Sequence, residues 1–193
     1  MTVLESQKDH SGTVGTTVVG QLPHKYEKGE TQKIYTRLSY NSTSAINSTE
    51  NPQRIYREVL ASFRDAQDEV FEFGMESTFL DKLCRQVRHY GSIAIEAMAS
   101  IILSNKAKPH VIAEALRWLG DVNHRDSHSL RLRLLEEALR NESRWIRDGA
   151  LLGLDAMGDK HAIAHLNFAA EVESIAELRK DMKDVITRLV NMS

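Results

Sequence analysis

The chain has 193 residues, a length that fits one domain with an appendage. It carries 25 lysines and arginines against 27 aspartates and glutamates, and this net charge of -2 argues against general nucleic-acid binding. Hydrophobic residues make up 41% of the sequence, and no apolar run reaches membrane-spanning length, so we expect a soluble domain without a membrane partner.

The first fifty residues differ in composition from the rest of the chain. They contain fourteen serines and threonines and four of the ten glycines, residue types that disfavour helices. We therefore interpret residues 1–50 as an extended or disordered leader and residues 51–193 as a helical domain. Two alternating stretches, residues 13–19 and 33–40, could form short strands, and the leader could also become ordered on a partner.

The pattern becomes helical at residue 51. Asn51 is a suitable N-cap with Pro52 at the first helical position, and apolar residues then recur at three- and four-residue steps. Gly74 is expected to end this helix, and Gly91 to end a second helix over residues 77–90.

Residues 92–105 predict a helix at the centre of the core, because up to Ser104 polar side chains occur only at every fourth position. Gly120 and Gly158 can each close a later helix, and Ser174 with Glu177 has the spacing of a capping box. The further helices are predicted over residues 109–120, 127–140, 144–157, 160–172 and 175–191.

The helix over residues 144–157 carries two apolar stripes. The stripes consist of Ile146, Ala150, Leu154 and Met157 on one face and of Trp145, Gly149, Leu152 and Ala156 on the other. Burial on two sides is what a helix between two stacked neighbours requires, so Trp145 is expected in the core.

An internal repeat supports this interpretation. The segment ALRWLGD (115–121) matches GLDAMGD (153–159) in form, at an offset of 38 residues. Such an offset lies within the range of proteins built from stacked helix pairs. An ordinary bundle of amphipathic helices is the alternative.

The residues of this region resemble a known repeat. IRDGALLGL (146–154), MGD (157–159) and HAI (161–163) resemble a HEAT repeat, closest to the short HEAT-like or phycobilisome-lyase-type subtype. The resemblance covers residues 92–190. It implies an all-α fold, a short right-handed α-solenoid of stacked helical hairpins that mostly serves protein recognition, here behind an irregular N-terminal segment.

No catalytic constellation is recognisable in the sequence, and we predict a protein that is not an enzyme, with no cofactor and no metal. His161 and His165 have the spacing of two metal ligands on one helix face. The His-Glu pairs of HEAT-like di-iron hydroxylases do not occur, so these histidines are expected at a solvated surface. Cys84, the only cysteine, is interpreted as a packed thiol and fits a reducing cytosol, hence a cytoplasmic protein.

The resemblance also implies that the second helix of each pair, residues 127–140 and 160–172, lines the concave side of the stack. Arginine and aromatic side chains are enriched in binding hot spots. The candidate partner-binding residues on these helices are Arg133, Glu137, Arg140, His161, His165 and Phe168.

The resulting hypothesis is a non-catalytic protein-binding adaptor or regulatory module whose partner is another protein. One alternative is a ligand-handling HEAT-like protein of the bilin-lyase or chaperone kind. A less favoured alternative is a DNA-binding protein similar to HEAT-like alkylpurine glycosylases, with Trp118, Trp145 and Asp148 as its functional set.

Overall fold

A computed structural model describes residues 51–71 and 77–192 of the chain. Within these two ranges every regular element is a helix and no strand occurs, which confirms the predicted all-α class for this part of the protein. The predicted leader, residues 1–50, lies outside the described residues, and so does the predicted helix end at Gly74.

Eight α-helices follow one another along the described residues. They are α1 (Pro52–Asp65), α2 (Thr78–Tyr90), α3 (Ser92–Leu103), α4 (Pro109–Asp121), α5 (His128–Ala138), α6 (Arg144–Met157), α7 (Ile163–Val172) and α8 (Ala176–Asn191). Short 3-10 helices at Ala66–Asp68, Arg125–Ser127 and Lys160–Ala162 join some of them. None of the described helices combines the length and apolar character needed to cross a bilayer.

The first helix begins as predicted. Asn51 caps α1, because its side-chain oxygen accepts a hydrogen bond from the backbone N–H of Gln53 at 2.9 Å, and Pro52 takes the first helical position. Ser77 caps α2 in the same way by accepting from the backbone N–H of Leu80 at 3.2 Å. Polar caps of this kind satisfy donors that have no partner inside the helix.

The end of α1 differs from the prediction. The chain leaves the helical conformation after Asp68, so the predicted continuation toward Gly74 is wrong. The side chain of Gln67 donates to the carbonyl of Phe63 at 2.6 Å and accepts from the backbone N–H of Lys108 at 3.0 Å. The two hydrogen bonds satisfy a backbone carbonyl near the end of α1 and a backbone N–H at the start of α4. The local sequence cannot indicate this arrangement, because the two residues are far apart in the chain.

The predicted central position of α3 is confirmed. Helices α1, α2 and α5 all contact it. Its buried residues are Ala94, Ile95, Ala97, Met98, Ala99, Ile101 and Ile102. An almost uniformly apolar helix of this kind is stable only when other helices surround it.

Several helices that are adjacent in the chain contact each other, and so do several alternate helices. Helix α4 contacts α5, α5 contacts α6, and α7 contacts α8. In addition α3 contacts α5, α4 contacts α6, and α6 contacts α8. The contact between α4 and α6 is the most extensive of all.

Glycines bring the backbones of α4 and α6 together. A Cβ atom at Gly153 would lie 2.6 Å from the carbonyl oxygen of Leu116, and one at Gly120 or Gly149 would overlap the backbone of Gly153 or Ala113. Gly120 therefore lies inside α4 and serves close packing, and the prediction that it closes the helix is wrong.

The prediction for Gly158 is confirmed, since this residue ends α6 in the left-handed conformation with φ at 65°. Only glycine adopts this conformation without steric cost, which explains the sharp end of α6.

A buried arginine closes the turn between α4 and α5. The guanidinium of Arg131, 3% exposed, donates to the carbonyl of Leu119 at 2.6 Å, the carbonyl of His124 at 3.3 Å and the hydroxyl of Ser127 at 3.1 Å. Burial lowers the pKa of Arg131 from its usual value. Its partners are uncharged oxygens at the end of α4 and in the loop that follows. Arg131 therefore holds this loop in place through hydrogen bonds and not through an ion pair.

A second arginine links the loop before α6 to the loop after α7. Arg147 donates to both carboxylate oxygens of Glu173 at 2.7 and 2.9 Å and to the carbonyl oxygens of Asn141 and Glu142. The side chain of Glu173 is only 2% exposed, and its hydrogen bond with Arg147 holds its pKa below the usual value. Such bidentate pairs have a strongly defined geometry.

The predicted capping box at the start of α8 is wrong. The N-cap is Ile175, which has no side-chain cap. Instead, Glu173 accepts a hydrogen bond from the backbone N–H of Ile175 at 3.0 Å. Arg147 fixes Glu173 in this position, so the tertiary ion pair replaces the local cap formed by Ser174 and Glu177.

The substitution Gly153→Ala tests the contact between α4 and α6. We expect the free energy of unfolding to fall by about 2 kcal/mol, because the added methyl would force two backbones apart. Chemical denaturation of the variant and wild type measures this difference. The control is Ala156→Ser, which adds one heavy atom at an exposed position of the same helix. A stability gain in Gly153→Ala, as in an open helix position, would contradict the proposed contact.

Candidate functional site

The residues predicted to bind a partner fall into separate clusters. Three of them, Glu137, Arg140 and Phe168, lie together between the end of α5 and α7. The guanidinium of Arg140 lies 3.4 Å from the Glu137 carboxylate, and its carbon lies 5.8 Å from the centre of the Phe168 ring. The Phe168 ring contacts the Arg140 guanidinium. Because Phe168 is half-buried, only part of the ring is open to solvent.

The small cavity beside this cluster has a volume of 290 Å³. It is lined by Leu139, Arg140, Asn141, Arg147, Phe168, Ala169, Val172, Glu173 and Ser174. Two of these residues, Arg147 and Glu173, form the structural ion pair described above. Because the lining polar groups are used for the fold, this cavity offers few free groups to a ligand.

Two further predicted residues lie around Glu136, which the sequence did not single out. The ring of His165 lies 3.6 Å from the Glu136 carboxylate, whose side chain is 11% exposed. Burial raises the pKa of Glu136, and the nearby positive groups His165 and Arg133 oppose this change. The cluster is an electrostatic contact between α5 and α7.

His161 belongs to a third cluster, centred on Asp159. Ring nitrogens of His161 and His128 each lie 2.7 Å from the Asp159 carboxylate, and the backbone N–H of His161 donates to it at 2.9 Å. Burial opposes ionisation of Asp159, but these hydrogen bonds outweigh it and lower its pKa to about 2. The acid therefore caps the turn that leads into α7.

A groove that the sequence did not predict lies at the contact of α4 with α6. It has a volume of 540 Å³. Its lining consists of Gln67, Asp68, Glu69, Val70, Phe71, His110, Ala113, Glu114, Arg117, Trp145, Asp148, Gly149 and Leu152. The lining side chains come from the segment after α1, from α4 and from α6.

Trp145 is exposed in this groove, and the prediction that it lies in the core is wrong. Its exposed fraction is 57%, that of Leu152 is 41%, and Ala156 is exposed too. Of the predicted second stripe only Gly149 is buried, because it contacts the backbone of α4. A glycine contact brings the helices so close that larger side chains on either side remain outside the interface.

The groove also carries carboxylates. Glu114 pairs with Arg117 at 2.8 Å, Asp68 pairs with Lys108 at 2.8 Å, and the hydroxyl of Ser77 donates to Glu69 at 2.8 Å. The lining of the groove carries four carboxylates and one guanidinium, so acidic groups outnumber basic ones although two of the acids are paired.

Asp148 differs from the other acids of the groove. Its carboxylate is half-buried and accepts no hydrogen bond from residues 51–71 or 77–192. Burial raises the pKa of Asp148, the negative charge of Asp181 acts in the same direction, and Arg144 opposes both. Asp148 is therefore an acid in a site where its charge is poorly compensated.

The three residues of the glycosylase-like alternative do not share one cavity. Trp145 and Asp148 line the groove, whereas Trp118 lines another cavity of 550 Å³ with Cys84 and His124. Cys84 is half-buried, with its sulfur 3.6 Å from the guanidinium of Arg88, and so it is less enclosed than the predicted packed thiol.

In the described part of the chain, no three His, Cys, Asp or Glu side chains are grouped so that they could hold a metal ion. Comparison with protein-family models, curated proteins and solved structures gives no match for this chain.

The low pKa of Asp159 predicts an acid-dependent loss of stability. Because the folded state holds this pKa below its usual 3.8, the carboxylate stabilises the fold above that pH, and this contribution is lost as the pH falls toward 2. We expect Asp159→Asn to be less stable than wild type at neutral pH, with a difference that narrows between pH 4 and pH 2. Urea denaturation across this range measures it. Asp126→Asn, at an exposed acid, is the control, and a constant difference for Asp159→Asn would contradict the assignment.

Proposed function

We propose that this chain is a HEAT-like α-solenoid and that it acts as a non-catalytic protein-binding adaptor or regulatory module. The order of helix contacts supports the stacked arrangement, since α4, α6 and α8 touch in succession, α5 contacts both α4 and α6, and α7 contacts α8. Helix α8 buries one side only, through Leu178, Met182, Val185 and Leu189. A terminal helix of a stack has this one-sided burial.

The exposed face of α6 in the groove is the observation that carries the proposed function. Trp145 and Leu152 stand on a helix whose opposite face is fixed in the core by Ile146, Ala150 and Leu154. Tryptophan is one of the residue types that are enriched in binding hot spots. An exposed tryptophan on a rigid helix, beside a concavity, offers a partner apolar contact at small entropic cost.

The surface predicted from the sequence, with Arg133, Arg140 and Phe168, remains a second proposed contact area. Its Arg140 is paired with Glu137, and its aromatic ring, that of Phe168, is half-buried. Trp145 in the groove is 57% exposed, so more of its ring is open to a partner. We therefore assign the main contact to the groove.

A ligand-handling protein is the second candidate function, because the volume of the groove is 540 Å³ and small-molecule sites span about 300–1,000 Å³. An absorbing chromophore or another small molecule that copurifies with the full chain in stoichiometric amount would favour it. The glycosylase-like alternative is weaker, since the carboxylates of the groove would repel the phosphates of DNA.

The substitution Trp145→Ala tests the proposed function. Affinity capture from the native cells, followed by quantitative mass spectrometry, should give a stoichiometric protein with the full wild-type chain. We expect the variant to retain less than about a tenth of this partner, because loss of a hot-spot tryptophan costs about 2 kcal/mol or more.

Two comparisons make this test specific. Val190→Ser removes an exposed apolar side chain on α8, outside the groove, and should leave capture unchanged. The combined substitution of Arg133, Arg140 and Phe168 by alanine probes the other surface. Loss of capture with this triple variant but not with Trp145→Ala would move the interface to α5 and α7 and contradict the assignment to the groove.

A further inference from the structure

We infer that the groove beside Trp145 binds a protein segment in which a large apolar side chain lies next to a lysine or arginine, and that Asp148 receives the cationic group. This inference rests on the proposed protein-binding function. It adds the chemistry of the segment and the residue that selects it.

The apolar part of the groove lies between two walls. Val70, 80% exposed, stands in the segment after α1, and Trp145 and Leu152 stand on α6. The guanidinium carbon of Arg144 lies 5.5 Å from the centre of the Trp145 ring and supports it from within the chain. An inserted apolar side chain would remove these surfaces from water without first requiring the tryptophan to become ordered.

The charged part of the groove is directly adjacent on α6. Asp148 follows Trp145 by three residues and precedes Leu152 by four, so the three side chains lie on neighbouring positions of one helix surface. All three line the groove. A segment that contacts the apolar pair therefore comes within reach of the carboxylate.

Asp148 has no hydrogen-bond donor among the described residues, whereas the other acids of the groove each have one. Glu114 holds Arg117, Asp68 holds Lys108, and Glu69 accepts from Ser77, whereas Asp148 accepts no hydrogen bond in the described part of the chain. A half-buried carboxylate without a donor gains more from a charge-assisted hydrogen bond than an exposed one.

The charges around Asp148 favour a cation over a neutral donor. Asp181 on α8 adds negative potential, and burial already makes the ionised form of Asp148 costly, as its raised pKa reflects. Arg144 compensates in part, but its guanidinium stacks on the Trp145 ring. An incoming ammonium or guanidinium would offset this cost, while an acidic segment would be repelled by the other carboxylates of the groove.

Selection from a displayed library of random 12-residue peptides on the immobilised full chain tests the inference. With wild type we expect enrichment of peptides that place lysine or arginine within two residues of a large apolar residue. With Asp148→Asn the apolar preference should persist and the basic preference should disappear. With Trp145→Ala no family of peptides should be enriched.

A charge-swap cycle on one selected peptide gives the quantitative test. Replacing its basic residue by glutamine should weaken binding to wild type about tenfold and should leave binding to Asp148→Asn almost unchanged. Asp126→Asn, an exposed acid outside the groove, should behave as wild type. Thermal unfolding verifies folding, and Asp148→Asn should be at least as stable as wild type at neutral pH because it removes a poorly compensated charge.

The outcomes separate this inference from the proposed function. Enrichment of peptides that lack a basic residue would overturn the role of Asp148. So would an Asp148→Asn variant that prefers the basic peptide over its glutamine form as strongly as wild type does. In both cases the groove stays a binding surface. Absence of any enriched peptide with wild type would overturn the inference even where partner capture depends on Trp145. Capture that is independent of Trp145 would instead overturn the proposed function.

Discussion

The backbone contact between α4 and α6 is the constraint on which the rest of the structure depends. Three glycines, Gly120, Gly149 and Gly153, remove the side chains that would otherwise separate the two helices. The contact fixes the rotation of α6 about its axis, so that Ile146, Ala150 and Leu154 are buried. The same rotation leaves Trp145, Asp148 and Leu152 at the edge of α4, where they line the groove. Core packing and candidate binding surface are thus two consequences of one close approach.

Two arginines, Arg131 and Arg147, fix loops between the helices. Arg131 donates to carbonyl oxygens at the end of α4 and in the following loop, and Arg147 joins the loops before α6 and before α8 through Glu173. Both side chains satisfy groups that helix ends leave without partners. Removal of either arginine would leave buried acceptors without donors, which would destabilise the fold. The loops that these two arginines contact are therefore held by tertiary hydrogen bonds.

The proposed binding surface combines an apolar and an acidic side chain on one helix. Helix α6 is fixed on one face by the core, and its other face presents Trp145 and Asp148 side by side. A partner that contacts both must carry apolar and positive groups at matching positions, so affinity and selectivity come from neighbouring residues of one rigid helix. The cluster of Arg140 with Glu137 and Phe168 differs, because its aromatic ring is half-buried and its arginine is paired with an acid. This difference favours the groove as the proposed contact surface.

The sequence by itself determined the features that depend on neighbouring residues: the helical periodicity, the Asn51 cap, the left-handed end of α6 at Gly158 and the central position of α3. Only the tertiary structure decided the features that depend on distant residues. The end of α1 is set by Gln67 and Lys108, and the start of α8 by Glu173 and Arg147. The exposure of Trp145 is decided in the same way, because an apolar stripe shows that a side chain could be buried, while the distance between two backbones determines whether there is room for it.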